Sequence, residues 1–392
     1  MEGIYLDYNS TTPTDPEVVE AMRPLFTENF ANPYNLHTFG LRAYKPVEAA
    51  RAKVAELLGA ASPEEIVFTG GGSEADNLAV KGVAYALRER GRHVVTSAVE
   101  HPAVLVACEW LAAEGWDVTF LAPDAEGWIA PAQLEAALRD DTVLVSIMHA
   151  NNEVGTIEPV AELAAAARAR GVLFHTDAVQ TAGKLPVNAA ELGVDLLSIS
   201  AHKFYGPKGV GALYVREGVA LVPVIHGGHQ EEGRRAGTHN SPGMVGLAKA
   251  LELARARCEE ENERLGRLRD RLKELILALP GEVVVMTPSR NAMSNTLNVC
   301  FPGIEGEALM LALDIEGIAV GTGSACATGS DEPSHVLAAM GCPPELARGA
   351  LRFSLGAYTR AEDIERVGDV LPAIVERLRA VSPASAQGLP RG

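Results

Sequence analysis

The strongest constraint in this sequence is an alternation. From about residue 63 to residue 215, short continuous apolar runs take turns with amphipathic stretches. Ile66–Thr69, His93–Ser97, Val118–Leu121, Val143–Ile147, Val172–His175, Leu196–Ser200 and Val210–Val215 read as strands. Between them Glu74–Arg90, Ala103–Glu114, Pro131–Leu138 and Val160–Arg170 read as helices. Gly91 and Gly171 sit just past two of the ends, and Pro131 sits in a first turn. Strands that are apolar throughout, rather than at every second residue, are buried on both faces. Separated by helices, they define an α/β unit around a mostly parallel sheet.

The pattern changes after about residue 240. Met244–Leu279 is a long, charged helical stretch, and its Glu259-Glu260-Glu261 run reads as a solvated face. Strands near Glu282–Met286, Thr296–Val299 and Leu351–Ser354 follow, with helices near Glu307–Ile315 and Ala361–Ala380. A chain of 392 residues has room for this second unit. We expect a large α/β domain over 16–255, a smaller α+β domain from 1–15 and 256–380, and a frayed tail at 381–392.

Charge and apolar content exclude some functions. With 34 Lys and Arg against 51 Asp and Glu, the net charge of −17 repels nucleic acid and anionic membranes. No apolar run approaches the ~20 residues that span a bilayer, and the N-terminus does not read as a secretory signal. A cytoplasmic location is therefore expected. The five cysteines form no CxxC pair, and the histidine spacing gives no zinc pattern, so no metal is expected.

Five polar clusters each follow an apolar strand, where open α/β sheets bind their ligands. Lys203, one of only eight lysines, lies just past a strand in Ser200-Ala201-His202-Lys203. Its amine suits Schiff-base chemistry with a carbonyl compound, unless it is simply a turn lysine. Asp177, in His175-Thr176-Asp177-Ala178-Val179-Gln180, is placed either to cap a helix or to pair with a protonated ring nitrogen. Gly70-Gly71-Gly72-Ser73, before a helix, reads as a phosphate cradle or a tight turn, and matches neither Walker A nor GxGxxG. His101 suits stacking on a flat ring and proton transfer, or a hydrogen-bonded loop position. Asn151-Asn152 offers amide donors or closes a turn. An amine, a carboxylate, a phosphate cradle, a stacking ring and amide donors together fit pyridoxal 5′-phosphate better than any nucleotide.

Cys326 differs from the other thiols. It lies in the Gly/Ser/Thr-rich stretch Gly321–Ser330, a composition that suits an accessible nucleophile. Cys108 and Cys300 have apolar neighbours and read as core, Cys258 as a spectator on the charged helix, and Cys342 as the start of a turn.

These segments resemble the cysteine desulfurases, fold-type-I enzymes of the class V aminotransferase kind. The resemblance is carried by Ser200–Gly209, His175–Gln180, Met148–Glu153, Tyr5–Asn9, Asn32–His37, Gly233–Thr238 and Leu351–Gly356, in order along nearly the whole chain. Gly323-Ser324-Ala325-Cys326 resembles the branch that serves iron–sulfur assembly. The resemblance implies a fold-type-I PLP-dependent transferase. Its large domain has a mostly parallel central sheet, and its smaller α+β domain carries the cysteine. It implies that Lys203 holds the cofactor covalently, that Asp177 pairs with the pyridinium nitrogen, and that His101 stacks on the ring. Asn152 and Gln180 would bond the phenolic oxygen, and Gly72, Ser73, Ser200 and His202 the phosphate. Thr238 would reach the cofactor phosphate of a neighbouring subunit, implying a homodimer. Arg352 would clamp the substrate carboxylate, with Asn32 and Asn152 assisting.

The implied reaction converts L-cysteine to L-alanine. Its sulfur passes as a persulfide on Cys326 to acceptor proteins, for iron–sulfur cluster assembly or tRNA thiolation. Rival readings are selenocysteine lyase, another class V aminotransferase that has no need of Cys326, and a non-enzymatic scaffold.

Overall fold

The computed structural model describes residues 3–322 and 333–381. Its strands are β1 (Ile4–Leu6), β2 (Ile66–Thr69), β3 (His93–Ser97), β4 (Asp117–Leu121), β5 (Thr142–Ser146) and β6 (Leu173–Asp177). They continue as β7 (Leu196–Ser200), β8 (Gly211–Val215), β9 (Val284–Val285), β10 (Thr296–Cys300), β11 (Ile318–Val320) and β12 (Ala350–Ser354). Seven of them form one sheet in the order β2-β8-β7-β6-β5-β3-β4. Strands β4, β3, β5, β6 and β7 run parallel, and β8 runs antiparallel to both β2 and β7.

The continuous apolar runs have the expected cause. Val94, Leu144, Leu196 and Leu213 pack on one face, against the helices Gly72–Leu87 and Pro102–Ala113. Their neighbours Val95, Val145, Leu197 and Ala212 pack on the other, with Val47, Val54, Leu163 and Leu247. The parallel strands therefore end along one edge, at Ser97, Ser146, Asp177 and Ser200.

A second layer carries the antiparallel sheet β12-β10-β9 and the parallel pair β1-β11. Its core joins Leu6, Leu297, Phe353, Ile364 and Leu371. The helix Ser241–Leu277 runs through both layers. It gives Met244, Leu247 and Leu251 to the first core, and Leu265, Leu272 and Ile276 to the second. Strand β1 therefore belongs with β11, far along the chain, and the residues after it return to the large sheet's edge.

Two features differ from the sequence pattern. The helix Thr38–Leu58 precedes the region where the alternation is legible. It contains Pro46, and its large apolar residues Phe39, Leu41 and Tyr44 face outward while Ala43, Val47 and Ala50 are buried. The helix after β2 begins at Gly72 rather than Glu74, so Gly72 and Ser73 form its first turn.

Candidate active site

Lys203 closes a short 3-10 turn, Ala201–Lys203, directly after β7. Its Nζ donates to Asn9 O at 2.6 Å and Ser10 O at 2.9 Å. Asn9 is a hub between the layers. Its amide Nδ2 donates to Asn152 O at 3.1 Å and Thr296 Oγ1 at 2.9 Å, and its carbonyl accepts from Gln180 Nε2 at 3.0 Å. The amine, Gln180 and Asn152 are thus brought to one place by a residue in the N-terminal segment.

Asp177 ends β6, on the strand next to Lys203. Its Oδ1 accepts from Val179 N at 2.8 Å, so it holds the turn after the strand. Burial pushes its carboxyl above the usual range, while the Val179 N–H and the Lys203 charge oppose the rise. Beneath it lies a buried polar floor. The His175 ring nitrogens meet Ser146 Oγ at 2.8 Å and Ser198 Oγ at 2.9 Å. Asp76 Oδ1 lies 3.7 Å from His175 Nε2 and has no hydrogen-bond partner. Burial drives His175 down to about 3, so its ring is neutral. Burial also raises Asp76 well above the carboxylate range, helped by Asp177 and Glu100.

His101 stands before the helix Pro102–Ala113, and its Nδ1 accepts from Ala103 N at 3.1 Å. That bond leaves the proton of the neutral ring on Nε2. Burial, with Lys203 and then His335, pushes its pKa down to about 4. Glu100 beside it is buried; its Oε1 accepts from Ser97 Oγ at 2.6 Å and Met148 N at 2.9 Å.

The phosphate-cradle residues Gly72, Ser73, Ser200 and His202 line one open cleft with Thr11 and Lys208. A Cβ on Gly72 would lie 2.9 Å from Val179 Cγ2 and 3.3 Å from Ser200 Cβ, so a larger residue there would push these side chains aside. His202 Nδ1 meets Thr11 Oγ1 at 3.1 Å, and burial pushes its pKa down to about 4. A helix N-terminus with free N–H groups, a neighbouring amine and a buried carboxylate one strand away fit a flat pyridine ring that carries a phosphate. Among the described residues, no group of three or more His, Cys, Asp or Glu side chains could hold a metal ion.

Arg352 comes from β12 in the second layer and is 4% exposed. Its Nη1 donates to Asn152 O at 3.0 Å, and its Nη2 to Asp7 Oδ1 at 2.8 Å and Ser10 Oγ at 3.0 Å. Asn32 and Thr238 lie elsewhere, on surface segments. Asn32 Oδ1 accepts from Tyr34 N at 3.0 Å, and the Tyr34 ring centroid is 5.1 Å from that of His239, next to Thr238. Arg235 ties the Thr238 segment to the cradle helix through Glu74 at 2.7 Å. Cys326 lies outside the described residues. Cys108, Cys258 and Cys300 are buried and Cys342 is half-buried; burial pushes Cys108 and Cys300 up to about 12.

Sequence reasoning passed over Asp7, Ser10, Asp76 and Lys184 as site residues. Lys184 Nζ donates to Gln180 Oε1 at 3.1 Å. Burial, with the nearby Lys203 and Arg352 charges, lowers its pKa to about 7. A signal for the N-terminal pair was present: Asp7, Asn9 and Ser10 are polar residues crowded directly behind a three-residue apolar strand.

A sheet edge that gathers an amine, a buried carboxylate and an anion cradle defines a class of cofactor-dependent enzymes built on fold type I. The chain belongs to the aminotransferase class-V family, whose model matches residues 4–367. It is 52% identical over 380 residues to a protein named cysteine desulfurase IscS from Dictyoglomus turgidum, covering 97% of this chain and 96% of that one. A solved structure titled NifS-like protein superposes with a TM-score of 0.90 at 40% identity, covering 96% of this chain and all (100%) of that chain. Another, titled SspA in complex with cysteine, has a TM-score of 0.80 at 39% identity and covers 91% of this chain and 100% of that chain.

Proposed function

We propose that the chain is a pyridoxal 5′-phosphate-dependent cysteine desulfurase that yields L-alanine and a persulfide on Cys326. The observation that carries this reading is the placement of Lys203 and Asp177 at the ends of adjacent strands, with Arg352 brought in from the second layer. When bound, the cofactor supplies an electron sink for the substrate's α-carbon.

The chain's own residues do the rest. Lys203 would hold the cofactor and could then move the α-proton at its Nζ. Asp177 would keep a ring nitrogen protonated by pairing with it. His101 would stack on the ring and could offer a proton from Nε2. Gln180 and Asn152 would orient the phenolic oxygen, Gly72, Ser73, Ser200 and His202 would hold the phosphate, and Arg352 would hold the substrate carboxylate. The balance closes without an external oxidant. The Cys326 sulfur bonds to the substrate sulfur as the Cβ–S bond breaks, so the thiol is oxidised to a persulfide and Cβ is reduced to a methyl group.

The finer reading is a homodimer that serves acceptor proteins such as an iron–sulfur scaffold. An outward apolar surface supports the dimer: Leu36 is 90% exposed, and Phe26, Phe30 and Phe39 are each more than half exposed. The Thr238 segment adjoins this surface through the Tyr34–His239 contact. A second copy seated there would place Thr238 toward the other cofactor. No helix among the described residues is long and apolar enough to cross a membrane.

The test is turnover of L-cysteine by the cofactor-loaded chain. Alanine and sulfide are expected in the presence of reductant. Cys326→Ala is expected to abolish both and leave the cofactor absorbance intact. Undiminished turnover in that variant, or a keto acid as product, would overturn the assignment.

A further inference from the structure

Arg352, the proposed anchor for the substrate carboxylate, already has a carboxylate. Its Nη2 donates to Asp7 Oδ1 at 2.8 Å and to Ser10 Oγ at 3.0 Å, while its buried Nε has no partner. A guanidinium offers a carboxylate two forks, one made by Nε with the terminal nitrogen on its side, the other by the two terminal nitrogens. Nη2 is the nitrogen common to both forks, and both of its hydrogens are engaged.

An incoming carboxylate therefore gains a two-point contact only by taking Nη2 from Asp7 or Ser10. Gly321 lies against the Asp7–Arg352 pair: a Cβ there would come within 2.7 Å of Arg352 Nη2 and of Asp7 Oδ1 and 3.2 Å of Arg352 Nε, so a larger residue would disturb it. The pair is held by the strands on both sides. Strand β1 ends at Leu6, which pairs with Val320 of β11, and Gly321 exchanges backbone hydrogen bonds with Arg352 at 2.7 and 3.0 Å.

We propose that Asp7 is a resident carboxylate that occupies Arg352 until the α-carboxylate of an amino acid displaces it, so that Asp7 sets the site's affinity for its substrate and product. This rests on the desulfurase reading for the identity of the amino acid. The physical basis is the cost of a buried cation with no counter-charge. Asp7 meets that cost before substrate arrives, and the substrate gains only the difference between its own carboxylate and Asp7. Removing the Asp7 charge raises the energy of the free enzyme and leaves the bound state nearly unchanged. Binding then tightens, and product leaves more slowly.

The experiment compares the holoenzyme with its Asp7→Asn and Ser10→Ala variants. KM and kcat are measured for L-cysteine and for L-cysteine methyl ester, which lacks the carboxylate. Thermal unfolding is measured with and without L-alanine. For Asp7→Asn, the KM for cysteine is expected to fall about tenfold, the difference between a charged and a neutral hydrogen-bond partner. The KM for the ester is expected to stay put. The variant should melt lower than the parent without ligand and gain more from L-alanine. Ser10→Ala, which frees one Nη2 hydrogen without touching charge, should lower the cysteine KM by a smaller factor and does so even if Asp7→Asn folds poorly.

A cysteine KM that rises or stays unchanged in the variants would overturn the proposal, as would equal shifts for cysteine and its ester. A parent enzyme that makes no alanine from cysteine would instead refute the reaction itself.

Discussion

The ring end and the phosphate end of this site are built differently. Beneath Asp177, Asp76, Ser146, His175 and Ser198 are all buried, and the hydrogen bonds among them that fix His175 are 2.8 and 2.9 Å long. Around Gly72 and Ser73 the cleft is open, and beyond it the surface carries Leu36 and Phe39 toward solvent. The contrast follows from what each end must hold. Fixing one proton on a ring nitrogen needs a carboxylate in a dry, immobile setting, which a single folded layer can supply. A phosphate is a full anion and needs N–H donors at a helix start, which remain effective beside water. Under the dimer proposed above, a second copy would finish the wall at this outer end.

The sharpest way to break the comparison is at the amine between the two ends. Lys203→Ala is expected to lower alanine formation by ~10³-fold or more, because covalent holding and proton transfer are lost together. Cofactor content measured on the same sample separates loss of chemistry from loss of binding. If the two ends hold the cofactor independently of the amine, the variant retains it non-covalently.

Asp177→Asn attacks the dry end alone. Turnover is expected to fall by ~10²-fold, since the ring nitrogen loses its ionised partner. The cofactor-free variant should melt no lower than the parent at pH 8, because burial makes the ionised Asp177 unfavourable there. A drop in both measurements would mean that Asp177 serves mainly to hold its turn through Val179.

Leu36→Asp combined with Phe39→Asp attacks the outer end. Sedimentation is expected to shift from dimer to monomer. Cofactor affinity should fall about tenfold, while the far-ultraviolet spectrum stays unchanged, because these side chains are exposed within one chain. An unchanged sedimentation coefficient would remove the second copy from the account of the phosphate end.

The same division explains what could be read in the sequence. The strands of the large sheet were legible because burial on both faces makes a run such as Leu196–Ser200 apolar throughout. Lys203, Asp177 and His101 were legible because each lies at or shortly past the end of such a run. Asp76 was not, because one polar residue on an amphipathic helix looks like a solvent-facing position until the sheet buries it. The Asp7–Arg352 pair joins residues 345 apart in sequence, and no local pattern encodes it. The helix Thr38–Leu58 was obscured because Phe39, Leu41 and Tyr44 point outward and Pro46 lies inside it, which blurs the apolar stripe of Ala43, Val47, Ala50 and Val54.

The smallest expected effect tests whether the buried edge carries its acids as neutral groups. Glu158 follows the His149–Asn152 segment, and burial pushes its pKa up to about 8. Its Oε2 accepts from Ile129 N at 2.9 Å, while its Oε1 is buried without a partner. The folded state keeps this proton up to about pH 8, whereas the unfolded chain releases it near the ordinary value of 4.5. The group's contribution to stability is therefore full below pH 4.5 and is lost as pH rises through 8. The buried histidines act with the opposite sign. His101 and His149 are lowered to about 4 and His175 to about 3, so their contribution is present above the ordinary 6.5 and is lost as pH falls toward those values. Glu158→Gln imitates the neutral acid at every pH. Its melting temperature is expected to exceed the parent's by roughly one to two degrees at pH 9 and to match it at pH 5, with the acid-side decline untouched. A variant that melts lower at both pH values would show that Glu158 works as an ionised acceptor, and that the edge around the site tolerates buried charge.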